Sequence, residues 1–256
     1  MSVRTLYQQG FSAANPSFAS ILMYEKTHVF DQSRPLIIGL HGHGGNALQF
    51  MPGGTIPNFP AALVEAGYIF LSIDTGPTSW ATDAAMNVIT DAANWAASKV
   101  KTGKLGLMGY SMNGAGALNW LKRNPTKVAC AWLWNPLLDL DWAHSTAGYT
   151  PPEGGTVANV SGWTTELDAA YGGNFAVNAV GHKIMSDLSS YRLGIPIKVS
   201  AASDDATIPI SHARYFVAQV NDPLVTQRLP EPIGGHVLGT RGVPTQEVVD
   251  FFKAYL

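Results

Sequence analysis

Three residue types scattered along this chain could together carry out acyl transfer: a serine, a histidine and a carboxylate. The serine is Ser111, in Gly109-Tyr110-Ser111-Met112-Asn113-Gly114. An apolar run from Leu105 breaks off there and helix-like spacing follows, so Ser111 is expected on a tight strand-to-helix turn. A serine hydroxyl is a weak nucleophile until a positioned base takes its proton. The base needs an orienting group, and the oxyanion needs N–H donors already in place.

Each of these has a candidate at the C-terminal end of an expected strand, where open α/β sheets bind ligands. The base is His236, in Gly234-Gly235-His236. Other histidines fit less well: His28 is too early, His144 and His182 fall in an irregular stretch, and His212 is inside a helical pattern. The acid lies in Ser203-Asp204-Asp205-Ala206-Thr207-Ile208-Pro209, where Asp204 and Asp205 compete; Asp139, after the preceding strand, is a third choice. The donor loop is His41-Gly42-His43-Gly44-Gly45. The backbone N–H groups of His43 and Met112 are the expected oxyanion hole.

With these motifs placed, the chain resembles the α/β-hydrolase superfamily, in its esterase, lipase and dienelactone-hydrolase-like part, from about residue 35 to 256. The resemblance implies a mostly parallel sheet with helices on both faces. It also implies the chain order Ser111, Asp205, His236, with the acid four residues ahead of Pro209. It implies a lipase-like serine esterase with a catalytic triad and no cofactor, acting on a small or polymeric ester. Peptidases, thioesterases and acyltransferases share the same groups and stay open, as does a non-catalytic ligand-binding protein on the fold. The family's elbow is Gly-x-Ser-x-Gly, and this chain has Asn113 at the second glycine position. Asn113 is expected to shape the pocket or to hydrogen-bond nearby.

The elements that must position these groups follow from apolar patterning. Buried strands are expected at 18–24, 35–40, 68–74, 104–109, 128–134 and 195–200, with weaker strands at 27–30 and 225–229. Helices are expected at 59–66, at 82–100 with Thr82 and Asp83 at its start, from the elbow to about Arg123, from about Pro209, and from about Pro244. Alternation of strand and helix argues for one α/β domain over residues 1–256. The pattern lapses between about 135 and 190, which reads as an irregular, cap-like insertion over the active edge. Trp142 and Trp163 in it are expected substrate-pocket residues, whereas Trp132 and Trp134 suit the core equally well.

Composition narrows the partners. The 256 residues carry a net charge of −2, and only 13% are charged, against ~25% usually. No electrostatic case exists for nucleic acid or an anionic membrane, and no apolar run approaches the ~18 residues of a membrane span. The N-terminus lacks a signal-peptide layout, which makes a cytoplasmic setting the default and leaves a secreted or particle-associated one open. The single cysteine, Cys130, sits in an apolar run and reads as a buried structural thiol. His41 and His43 invite a metal reading, but no third ligand is evident; His41 is expected to bond loop backbone and His43 to line the cleft. The glycine-rich loop lacks the Lys-Ser/Thr pair of a phosphate loop.

Overall fold

In the computed structural model, residues 3–12, 16–26, 32–51, 54, 56, 59–144, 162–237 and 242–256 are described. Eight strands form one sheet: β1 Val3–Gln9, β2 Ala19–Glu25, β3 Arg34–Leu40, β4 Ile69–Ile73, β5 Thr102–Tyr110, β6 Val128–Trp134, β7 Ile197–Ser200 and β8 Val225–Gln227. Their order across the sheet is β1-β2-β4-β3-β5-β6-β7-β8. The first two strands run antiparallel to their neighbours, and β3 to β8 pair in parallel.

The central strands read as unbroken apolar runs because both faces of the sheet are covered. In β6, Ala131 and Leu133 point to one core, and Cys130, Trp132 and Trp134 to the other. The first core lies under α2 Asp83–Lys99, α3 Asn113–Arg123 and α7 Ser211–Val220; the second lies under α1 Phe59–Glu65 and α8 Thr245–Tyr255. Trp132 and Trp134 are both fully buried, so they are core residues. Thr82 caps α2 by accepting from the Ala85 N–H.

Two regions depart from expectation. β1 is an edge strand whose side chains are mostly exposed, so no apolar pattern marks it. Among the described residues, the stretch from 135 to 190 is more regular than its composition suggests. It holds α4 Leu140–His144, α5 Trp163–Ala170, α6 Phe175–Asn178 and three 3-10 turns. Helices of 5, 8 and 4 residues are too short to print a periodicity. The strand expected at 27–30 and the middle of the insertion, 145–161, lie outside the described residues, as does His28. Among the described residues, no helix is long and apolar enough to cross a membrane.

Candidate active site

The C-terminal ends of β3, β5, β6 and β7 converge on Ser111. It follows β5 directly and takes φ of 53°, the left-handed region that a non-glycine residue enters at a cost. Three backbone bonds hold it there. Its N–H donates to Trp134 O at 3.0 Å, and its carbonyl accepts from Gly114 and Leu137 at 2.8 and 2.9 Å.

His236 Nε2 lies 2.8 Å from Ser111 Oγ, and its Nδ1 lies 2.7 Å from Asp205 Oδ2. The Asp205 side chain is fully buried. Its other oxygen accepts from the Thr207 and Ile208 N–H groups at 2.8 and 3.0 Å. One oxygen is thus spent on the loop, and the other is aimed at the imidazole. A carboxylate there makes Nδ1 the protonated nitrogen and leaves Nε2 as an acceptor for the serine proton.

Asp204 and Asp139 face elsewhere. Asp204 is exposed and accepts from the Gly234 and Gly235 N–H groups at 2.8 to 3.0 Å, which holds its carboxyl below the usual range. Asp139 is buried and caps α4 by accepting from the Trp142 N–H at 3.0 Å.

The donor loop passes against the elbow. A Cβ built on Gly42 would lie 2.8 Å from the buried Tyr110 ring and 3.1 Å from Ser111 Cβ, so only glycine fits. Around it, Gly42 N–H donates to Gln49 Oε1 at 2.6 Å, Gly44 N–H to Pro77 O at 2.9 Å and Gly45 N–H to Gly42 O at 3.0 Å. Among the described residues, the His43 and Met112 N–H groups meet no acceptor. His41 is buried. The Thr75 N–H donates to its Nε2 at 3.1 Å, so its Nδ1, 2.7 Å from Gly42 O, is the protonated nitrogen. His41 therefore bonds loop backbone, whereas the His43 ring meets Glu166 on α5.

The three residues expected at the pocket, Asn113, Trp142 and Trp163, are buried. Asn113 is fully buried. Its amide donates to His41 O at 2.6 Å and to Thr75 Oγ1 at 3.0 Å, and its oxygen accepts from Ser79. At the usual glycine position it thus ties the elbow to the donor loop. The adjacent glycine is the one that packing demands, since a Cβ on Gly114 would come within 2.3 Å of Pro136. Trp163 packs on the His43 and Trp80 rings at 5.6 and 5.2 Å, with Trp142 behind it at 6.4 Å; both indoles are buried.

Sequence reasoning passed over Asn135, Tyr110 and Glu166. Asn135 Nδ2 and Tyr110 Oη both donate to the His236 carbonyl, at 2.5 and 3.2 Å, and Asn135 Oδ1 accepts from Ala202 N–H at 2.8 Å. Burial and the Asp205 charge raise the Tyr110 pKa, so it stays a donor. The available signal was an asparagine at the end of a strand, a residue that tolerates the positive φ of 40° found here. Cys130 is buried, and burial pushes its thiol up to about 12, which keeps it protonated and inert.

Sheet order, elbow and loop placement define the α/β-hydrolase fold, and solved structures agree. A ferulic acid esterase matches with a TM-score of 0.68 at 16% identity, over 98% of this chain and 97% of its own. An S-formylglutathione hydrolase from Staphylococcus aureus matches with a TM-score of 0.71 at 11% identity, over 99% of each chain. A Bacteroides ovatus protein described as a dipeptidyl aminopeptidase IV matches over the whole chain with a TM-score of 0.67 at 15% identity; this chain spans 36% of its length. No protein-family model and no curated protein matches the sequence.

Proposed function

We propose that this protein is a serine hydrolase that cleaves carboxylic esters through an acyl-Ser111 intermediate. The observation that carries the reading is the continuous hydrogen-bonded line from Asp205 through His236 to Ser111, at 2.7 and 2.8 Å. His236 Nε2 accepts the Ser111 proton as Oγ attacks the ester carbonyl. Asp205 holds the imidazole in the required tautomer and stabilises its cation. The His43 and Met112 N–H groups receive the oxyanion. Collapse of the tetrahedral species expels the alkoxide, which takes the proton from His236. Water then enters, gives its proton to His236 and attacks the acyl carbon; the acid leaves and Ser111 recovers its proton. Protein groups and water suffice for every step.

Amide cleavage is the second reading, because structural neighbours include peptidases. The two separate on one pair of substrates. Purified protein is expected to turn over p-nitrophenyl acetate or butyrate with a burst of p-nitrophenol, since acylation by so good a leaving group outruns deacylation. Amino-acyl p-nitroanilides are expected to stay intact. Anilide cleavage at a comparable kcat/KM would assign a peptidase, and inertness toward both substrate types would remove hydrolysis itself.

A further inference from the structure

Among the described residues, the insertion reaches the donor loop through a polar contact to His43. Glu166, on α5, places Oε2 at 2.6 Å from His43 Nε2. The His43 ring is also held by two indoles, Trp80 at 5.3 Å and Trp163 at 5.6 Å, which meet each other edge to face at 5.2 Å. Trp163 and Glu166 belong to the same short helix. One element therefore grips the His43 side chain by charge and by packing.

The backbone has a different distribution of restraints. On either side of His43, the Gly42 and Gly44 N–H groups are bonded to Gln49 and Pro77. The His43 N–H itself meets no acceptor among the described residues. Its direction is set by the neighbouring bonds and by whatever fixes its own side chain.

We propose that Glu166 is a positioning residue for the oxyanion hole: by anchoring the His43 imidazole, it keeps the His43 N–H aimed at the site where the oxyanion forms. This rests on the reading of His43 as an oxyanion donor. A donor contributes most when it needs no reorganisation at the moment of reaction. Small misplacements of such groups are costly. Glu166 acts through His43, so its loss weakens an interaction made only in the transition state. Such a loss lowers kcat and kcat/KM together and leaves KM in place.

The test is a set of steady-state measurements on Glu166→Ala, Glu166→Gln, His43→Ala and the double variant Glu166→Ala/His43→Ala, with thermal melts alongside. Removing a whole oxyanion donor costs ~10²–10³ in kcat, and loosening one is expected to cost about tenfold in Glu166→Ala. KM stays within about twofold under the same logic. Glu166→Gln, whose amide oxygen can accept the Nε2–H bond, recovers most of the rate. In the His43→Ala background, where the anchored ring is gone, Glu166→Ala adds nothing further. An unchanged kcat in Glu166→Ala, a rise in KM in its place, or multiplying effects in the double variant overturns the proposal. So does a Gln variant as slow as the Ala variant. Ser111→Ala, assayed beside them, separates the two levels: its retained activity would remove the serine mechanism, whereas its inactivity with a fast Glu166→Ala would remove the positioning role alone.

Discussion

Ser111→Ala is expected to lose about 10⁴-fold or more in kcat on a short p-nitrophenyl ester, with its melting temperature close to that of the parent protein. The size of the loss follows from what the hydroxyl does. In the proposed mechanism it is the atom that forms the acyl bond, and no neighbouring side chain can replace it: the one cysteine is buried in the sheet with its thiol protonated. Under the proposed mechanism, the rate that remains comes from the oxyanion donors and binding alone. Folding should be spared, because the Ser111 backbone makes the three bonds that shape the turn and, among the described residues, its Oγ contacts only His236. Alanine at a φ of 53° bears the same strain as serine.

Asp205→Asn is the second large effect, at about 10⁴-fold in kcat, with Asp204→Asn near the parent rate. The geometry gives the sign. Asp205 Oδ1 is held by the Thr207 and Ile208 N–H groups. Asparagine would keep its carbonyl oxygen there and turn its NH₂ toward His236. Nδ1 would then have to accept a bond, so the proton would move to Nε2, and Nε2 would point a hydrogen at Ser111. The imidazole stays in place but can no longer take the serine proton. At position 204, asparagine still offers an oxygen to the Gly234 and Gly235 N–H groups, so the histidine loop keeps one of its ties. Steady-state assays of both variants, side by side, check the assignment; a large loss in Asp204→Asn with a small one in Asp205→Asn would move the acid by one residue.

Much of this site could be read from the chain. Strands covered on both faces announce themselves as apolar runs, and strand ends are where loops can meet. That is why Ser111, Asp205, His236 and the 41–45 loop can be placed near one another from sequence, and they lie together in the fold. What escaped was whatever lacked a periodic or compositional mark. β1 is exposed on an edge, and the helices of the insertion are too short to repeat. Position alone suggests that Asn113 shapes the pocket or hydrogen-bonds nearby, and it does hydrogen-bond, with partners that position does not name. Its bonds to His41 O and Thr75 depend on loops that are distant in sequence. The same holds for Asn135 and Tyr110, which act on one carbonyl more than a hundred residues away. Side chains that bond backbone across the fold leave no local pattern to find.

The most direct measurement of the central claim is labelling of the native protein with a fluorophosphonate, followed by tryptic digestion and mass spectrometry. Phosphonylation requires a serine whose proton is taken by a neighbouring base, so it reads nucleophile and base together. The expected result is a single labelled peptide, residues 105–122, with the adduct on Ser111 and no adduct in His236→Ala. An adduct on another residue, or full ester turnover by protein that carries no adduct on Ser111, would contradict the account.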